Sequence, residues 1–182
     1  MPTALIVHGM YGHPGENWFP WLKTELEGKG WRVHIPQFPT KDDLNPEDWW
    51  SALAPYEGKI DENTTVIGHS LGVAFLLKVI EKHPVHSAFF IAPAWGITGN
   101  EFDPIIGPIA NQHFDWELIR KNCPTFTIFH SNNDPYIPLR QAEKLAGHLG
   151  AEVEVIEGAG HFNETAGYTE IPLLFEHITK TK

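Results

Sequence analysis

The pentapeptide Gly68-His69-Ser70-Leu71-Gly72 decides the fold that we predict for this chain. Before it, residues 64–67 form a β-branched run that is typical of a short buried strand. After it, residues 73–83 carry the apolar pattern of a helix. A Gly-x-Ser-x-Gly sequence between a strand and a helix is typical of a nucleophile elbow, a strained turn that presents the serine hydroxyl above the strand end. The alternative is an ordinary turn that joins a strand to a helix, and the pentapeptide alone does not separate the two.

Strands and helices alternate along the rest of the chain. The predicted strands are residues 3–7, 31–35, 64–67, 87–92, 125–130 and 152–156, and the predicted helices are residues 17–27, 45–56, 73–83, 116–122, 139–149 and 168–178. This alternation predicts an α/β protein with the three-layer α/β/α-hydrolase fold, in which helices flank a parallel sheet of about six strands. We expect one domain over residues 1–182. Residues 93–116 have an irregular pattern, which predicts a minimal lid or a wall of the pocket.

Two further loops offer the partners that a serine nucleophile needs. Asp134 follows the fifth predicted strand, and His161 follows the sixth in a glycine-rich loop. Because the loops after parallel strands lie at one edge of the sheet, we expect Ser70, Asp134 and His161 to meet there as a catalytic triad. Their order along the chain is that of the α/β-hydrolases. Taken singly, Asp134 could cap its turn and His161 could make an ordinary hydrogen bond.

The loop after the first strand and the elbow itself offer main-chain N–H groups for an oxyanion hole. We predict Leu71 as one donor and Met10 as the other, with Tyr11 as the alternative to Met10. Aromatic residues are candidates for substrate binding, although core packing is the alternative for each. They are Tyr11, Trp18, Phe19, Trp95, Trp116 and Tyr136. The histidines show no spacing typical of metal ligands, so we predict no metal and no cofactor.

Composition and charge narrow the classes of partner. The chain has 182 residues, is 42% hydrophobic and carries a formal net charge of −10. Without a cluster of Lys and Arg, this charge argues against nucleic acids and anionic membranes as partners. A single cysteine, Cys123, excludes an intramolecular disulfide, and neither a secretion signal nor a stretch long enough to span a membrane is recognisable. We therefore expect a cytoplasmic protein that acts on a small-molecule acyl substrate.

The chain resembles the small serine hydrolases of the α/β-hydrolase fold that include retinoblastoma-binding protein nine and the bacterial YdeN-type proteins. The elbow and residues 18–22, 122–124, 131–138 and 160–162 carry the resemblance. It implies a serine hydrolase whose triad maps onto Ser70, Asp134 and His161. The vertebrate member carries a Leu-x-Cys-x-Glu motif for the retinoblastoma protein. The corresponding residues 56–62 contain no cysteine, so we do not expect that partner.

These features together predict a carboxylesterase-like enzyme of class EC 3.1. It would cleave small ester-like substrates through an acyl-enzyme formed on Ser70. Thioesterase, amidase and acyltransferase chemistry at the same site are alternatives that the sequence does not separate. An alternative from another class is a protein-interaction module of the same fold that keeps a vestigial triad.

Overall fold

A parallel sheet of six strands runs through the computed structural model, which describes residues 1–180. The strands are β1 (Thr3–Val7), β2 (Arg32–His34), β3 (Thr64–His69), β4 (Ser87–Ile91), β5 (Phe126–Ser131) and β6 (Val153–Ile156). Their order across the sheet is β2-β1-β3-β4-β5-β6, so β2 and β6 are the edge strands. The direction in which the chain crosses the sheet reverses between β1 and β3. A crevice for ligands forms at the carboxyl ends of strands where this order reverses.

Helices cover both faces of the sheet and complete the three predicted layers. Residues 1–180 contain α1 (Phe19–Gly28), α2 (Pro46–Glu57), α3 (Leu71–Lys82), α4 (Asp103–Ala110), α5 (Trp116–Asn122), α6 (Leu139–Leu149) and α7 (Pro172–Lys180), with a 3₁₀ turn at Glu164–Ala166. Helices α1 and α7 pack on one face with Ala4 and Ile6, and α2 to α6 pack on the other with Leu5 and Val7. Because side chains alternate along a strand, β1 contributes to both apolar layers. The predicted three-layer fold is confirmed.

The elbow lies between two deeply buried elements. All six residues of β3 are buried, and most of α3 is apolar and buried as well. The longest helices, α2 and α3, have 12 residues, and none of the helices described in residues 1–180 has the length and apolar character needed to cross a membrane. The β3–α3 junction therefore forms a rigid centre on which a strained turn can be held.

Helix α4 lies inside the segment that we predicted to be irregular. A proline in its first turn suits a helix start, but Gly107 and Pro108 inside the helix obscure the helical pattern because both residues disfavour helix interiors. The helix forms nonetheless because Ile106 and Ile109 are buried against the larger apolar layer. Tertiary packing thus outweighs local propensity in this segment.

Hydrogen bonds fasten the segment before α4 to the loop and helix that follow β5. The Trp95 indole N–H donates to the Gln141 carbonyl at 2.9 Å, and the Gln141 amide donates back to the Trp95 carbonyl at 3.2 Å. The Asn100 amide donates to the Tyr136 carbonyl at 2.7 Å. Residues 93–116 are therefore held in place by hydrogen bonds and form a wall beside the carboxyl ends of the strands.

Candidate active site

A cavity of about 510 Å³ opens at the carboxyl ends of the central strands. Its wall includes residues from the loop after β1, from the elbow, from α4 and from the loops after β5 and β6. Ser70 and His161 both line it. The cavity thus lies at the reversal point of the strand order, where the predicted triad was expected to meet.

Ser70 sits in the strained backbone conformation that a nucleophile elbow requires. Its φ and ψ are 53° and −123°, a region that costs a non-glycine residue about 1–3 kcal/mol. The strand and loop around it fix this conformation, because Ser70 N–H donates to the Ile91 carbonyl at 3.0 Å and its carbonyl accepts from Ala94 N–H at 3.1 Å. A Cβ atom at Gly72 would lie 2.3 Å from the Val7 carbonyl oxygen. The turn therefore packs directly on β1, which leaves no room for a side chain at position 72.

His161 and Asp134 are joined by a hydrogen bond. The His161 Nδ1–H donates to Asp134 Oδ2 at 2.7 Å, and the Asp134 side chain is 1% exposed. The other carboxylate oxygen accepts from the main-chain N–H groups of Tyr136 at 2.8 Å and Ile137 at 3.0 Å. Because Nδ1 carries the proton, Nε2 of His161 is the ring atom that can accept one.

The environment of Asp134 keeps its carboxylate charged. Burial pushes the pKa of this carboxyl upward, but the hydrogen bond and charge of His161 and the two main-chain N–H groups outweigh it. The pKa of Asp134 is therefore below its ordinary value. An ionised Asp134 suits the orientation of a histidine and the stabilisation of its protonated form.

The serine and the histidine share the cavity without a direct hydrogen bond. Among the hydrogen bonds of residues 1–180, none joins the Ser70 hydroxyl to the His161 ring. Contacts of this type are often long before substrate binds and shorten in the complex. Ser70 and His161 therefore lie in the wall of the same cavity.

A buried histidine ties the loop after β1 to the loop after β2. His8 Nε2 accepts from the Phe38 N–H at 3.0 Å, and its Nδ1–H donates to the Gly9 carbonyl at 2.8 Å. Burial lowers the pKa of His8, in keeping with this neutral form. A Cβ atom at Gly9 would lie 2.8 Å from Ser70 Cβ, so the loop passes next to the serine.

The two predicted oxyanion donors both line the cavity. Leu71 is the first residue of α3, and Met10 follows Gly9. Among the hydrogen bonds of residues 1–180, neither main-chain N–H donates to another protein group. The N–H groups in the first turn of a helix have no partner within the helix, so that of Leu71 is available to a ligand.

Comparisons with known proteins agree with this geometry. The profile of a family described as serine hydrolases matches residues 4–180. The chain belongs to that family. Serine hydrolase RBBP9 from Rattus norvegicus is 29% identical, with 98% of this chain and 97% of that protein covered. YdeN of Bacillus subtilis (strain 168), named as a hydrolase, is 26% identical, with 96% and 93% covered.

Solved structures share the fold of this serine hydrolase. The crystal structure of the ydeN gene product from B. subtilis has a TM-score of 0.90 and 24% identity, covering 100% of this chain and 98% of that one. Est1E from Butyrivibrio proteoclasticus, solved with ferulic acid bound, has a TM-score of 0.73 and 16% identity, covering 99% and 87%. These similarities show that the architecture is that of the α/β-hydrolases.

The aromatic candidates divide into two groups in this serine hydrolase. Tyr11 and Tyr136 line the cavity and are 54% and 41% exposed. The Tyr11 hydroxyl donates to Asp42, and the Tyr136 ring lies edge-on to the His161 ring at 5.1 Å. Both tyrosines are therefore placed where a substrate can touch them.

The predicted tryptophans lie away from the cavity. Trp18 is fully buried beneath the His161 loop, next to the buried Phe19. Trp95 and Trp116 contact each other at 5.3 Å, and Trp116 stacks on His148 at 4.4 Å, where α5 meets α6. Tryptophan provides a large apolar surface with one N–H, so core packing satisfies it whenever a main-chain carbonyl is near. The structure thus places Trp18, Phe19, Trp95 and Trp116 outside the lining of the cavity.

Sequence reasoning missed the residues that hold the histidine loop in place. Asn132 Oδ1 accepts from the Gly158 N–H at 2.9 Å, and Asn133 Oδ1 accepts from the Gly160 N–H at 2.8 Å. The signal was present, because two asparagines directly precede Asp134 and short amide side chains bond readily to nearby loops. The loop after β5 thus supplies both the carboxylate for His161 and the amides that place its loop.

Proposed function

We propose that this serine hydrolase cleaves small carboxylic esters through an acyl-enzyme formed on Ser70. The observation that carries the proposal is the 2.7 Å hydrogen bond from His161 to Asp134, in a cavity whose wall also holds Ser70 on a strained turn. A nucleophile, a base and a buried acid that orients the base are the parts that acyl transfer needs.

The chemistry follows from the roles of these three side chains. His161 Nε2 takes the Ser70 proton as Oγ attacks the carbonyl carbon, and Asp134 stabilises the imidazolium that results. The imidazolium then gives the proton to the departing alcohol, which leaves the acyl group on Ser70. Water repeats the sequence with His161 as its base, so that the acid is released and Ser70 is restored.

The main-chain N–H groups of Met10 and Leu71 stabilise the oxyanion in this proposal. Both residues line the shared cavity, neither N–H has another protein acceptor within residues 1–180, and Leu71 lies at the positive end of α3. Donors fixed in position before the reaction stabilise developing charge at little reorganisation cost. His8 supports this role because it fastens the loop that carries Met10.

Esters are the first substrates to test, because an alkoxide leaves a tetrahedral intermediate more easily than an amine does. Thioesters, amides and acyl acceptors other than water use the same groups and remain alternatives at this site. A binding module with a vestigial triad is the alternative outside enzymology.

A panel of acyl p-nitrophenyl esters, thioesters and peptide amides tests the proposal on wild type and Ser70→Ala. Ser51→Ala is the matched control, because Ser51 is exposed on α2 and its hydroxyl only donates to the Glu47 carbonyl. We expect Ser70→Ala to lower kcat by several orders of magnitude and to abolish labelling by a fluorophosphonate probe, since the nucleophile is lost. Ser51→Ala should retain both.

Two results would contradict the proposal. Loss of less than about tenfold in kcat on Ser70→Ala is too little for a nucleophile. Equal failure of wild type and Ser70→Ala to turn over the panel or react with the probe would instead favour the vestigial triad.

A further inference from the structure

Side chains from elsewhere in the chain hold the main chain of the loop that carries His161. Gly160 and Phe162 flank the histidine with φ values of 55° and 53°, both in the left-handed region. Two carbonyl groups of this loop accept hydrogen bonds from side chains elsewhere in the chain. His69 Nε2 donates to the His161 carbonyl at 2.8 Å, and Trp18 Nε1 donates to the Phe162 carbonyl at 3.0 Å.

His69 occupies a position that links the two halves of the candidate site. It is the last residue of β3 and directly precedes Ser70. The same strand end therefore leads into the serine and carries the side chain that is hydrogen-bonded to the His161 loop. Its side chain is 4% exposed, and its ring lies 4.9 Å from the His161 ring. A carbonyl oxygen only accepts hydrogen bonds, so His69 must carry a proton on Nε2.

We propose that His69 is a positioning residue that sets the His161 ring relative to Ser70 by donating from Nε2 to the His161 main-chain carbonyl. The inference rests on the proposed function, in which His161 is the base. Because the end of β3 leads into Ser70 and also holds the His161 loop through His69, it fixes the distance between nucleophile and base. Asp134 fixes the rotation of the imidazole.

The rings around His69 keep this contact in one geometry. Trp18 and Phe19 lie edge-on to the His69 ring at 6.1 and 6.0 Å, so the imidazole is packed as well as hydrogen-bonded. Burial, followed by the charge of His161, lowers the pKa of His69 to about 3. His69 therefore remains a neutral donor while His161 gains and loses a proton.

The test compares substitutions that remove or retain the Nε2 donor. Phenylalanine at position 69 keeps a ring and removes the donor, whereas the Gln amide nitrogen reaches the place of His Nε2. We expect His69→Phe to lower kcat by about 10- to 100-fold, because small displacements of a catalytic group cost this much, while KM changes by less than about threefold. His69→Gln should recover most of the lost kcat.

The kinetics are expressed per active site labelled by a fluorophosphonate probe, so that unfolded chains do not enter kcat. If His69→Phe does not fold, His69→Asn replaces it, because the shorter Asn amide reaches the place of Nδ1 and not of Nε2. His34→Phe is the control for the loss of a histidine ring. His34 lies on β2 against Tyr56, away from the cavity, and the control should keep the kcat of wild type.

Three results would overturn the role of His69. These are a kcat of the donor-less variant within about threefold of wild type, equal losses in the Phe and Gln variants, and a change confined to KM. In each case the activity of Ser70→Ala shows whether only the role of His69 is wrong or the proposed function as well. An inactive Ser70→Ala leaves the mechanism standing without the positioning role, whereas an active one refutes the mechanism itself.

Discussion

Asp134, Asp103 and Asp115 all accept hydrogen bonds, but their partners differ in kind. Asp134 accepts from the His161 ring, whereas Asp103, the first residue of α4, accepts from Thr98 and Gly99 in the preceding loop. Asp115 caps α5 by accepting from the Leu118 N–H at 3.0 Å. Of these aspartates, Asp134 is the one placed to orient a histidine.

Replacing Asp134 by Asn should lower kcat by on the order of a thousandfold or more, about 4 kcal/mol. The amide oxygen can still accept from the Tyr136 and Ile137 N–H groups, so the turn is retained. The amide nitrogen, however, would face Nδ1 and force the proton of His161 onto Nε2. Steady-state hydrolysis of a p-nitrophenyl ester measures the loss.

Asp115→Asn is the matched control for the Asp134 substitution, because Asn caps a helix as well as Asp does. We expect its kcat to stay within about tenfold, roughly 1.4 kcal/mol, of wild type. Comparable kcat values for Asp134→Asn and Asp115→Asn would show that Asp134 does not orient the base.

The buried His69 should also make stability depend on pH. The pKa of His69 is about 3 in the folded protein against an ordinary value of 6.5, so between these values the unfolded chain binds a proton that the folded chain does not. The contribution to stability is therefore complete above pH 6.5 and falls as pH decreases toward 3. His161, Asp134 and His8 are the titratable groups that act on this side chain.

His69→Gln removes this proton linkage. Between about pH 6.5 and 4.5, wild type should lose about 2–3 kcal/mol more of its free energy of unfolding than His69→Gln does. Urea unfolding at the two pH values measures the difference. Parallel losses in the two proteins would show that His69 is protonated in the folded state at pH 4.5.

At the scale of elements, most of the fold could be predicted because hydrophobic periodicity and turn residues agree locally with the final structure. The predicted helices at residues 116–122 and 139–149 coincide with α5 and α6. Helix α4 escaped prediction because Gly107 and Pro108 obscure its pattern, and its stability comes from contacts distant in sequence. The 3₁₀ turn at Glu164–Ala166 was missed because a single turn has no periodicity to read.

The sequence predicted the residues of the candidate site whose positions follow from the ends of the strands. Ser70, Asp134 and His161 follow three strands of one parallel sheet, so topology brings their loops together whatever the surrounding packing. The positions of Trp18 and Trp95 depend instead on which way each ring turns from its backbone. That direction is set by tertiary contacts, which a single sequence does not display.

The contact between β1 and α3 gives a prediction about the elbow glycine Gly72. Its Cβ would lie 2.3 Å from the Val7 carbonyl oxygen and 2.7 Å from that of His8, and rigid backbone cannot yield as a flexible side chain can. Gly72→Ala should therefore lower the free energy of unfolding by about 1–3 kcal/mol or more. Urea unfolding measures this change.

Gly147→Ala is the matched control for Gly72→Ala. Gly147 is exposed inside α6, and a Cβ there would meet nothing within 4 Å. Alanine should stabilise α6 by up to about 1 kcal/mol, because it is the better helix former. If both alanine variants were stabilised, the close approach of α3 to β1 would not exist in solution.

At the scale of the whole molecule, charge is distributed unevenly around the cavity. The net charge of the chain is −10, and the residues that line the cavity include Glu16 and Glu164. Glu164 is held by the Asn17 N–H at 2.8 Å. Burial raises the pKa of Glu16, and the charge of Glu164 adds to the rise while His13 opposes it. Within residues 1–180, no Lys or Arg lines the cavity.

This acidic wall should make the enzyme discriminate by substrate charge. Among p-nitrophenyl esters of similar length, we expect kcat/KM to be lowest for an acyl chain ending in a carboxylate and higher for a neutral or a trimethylammonium end. A difference on the order of tenfold at low salt corresponds to about 1.4 kcal/mol, a size that two partly exposed carboxylates can supply. The difference should shrink as salt screens the charges.

The double variant Glu16→Gln, Glu164→Gln tests the origin of this preference. It should bring the kcat/KM values of the three substrates closer together, because Gln retains an oxygen for the Asn17 N–H and loses the charge. The control Glu62→Gln, Glu170→Gln makes the same change in net charge at exposed positions outside the cavity wall, so it separates the local field from the overall one. Equal discrimination in both double variants would assign the preference to the overall charge of the molecule, and a preference for the anionic ester in wild type would show that the acyl chain does not approach Glu16 and Glu164.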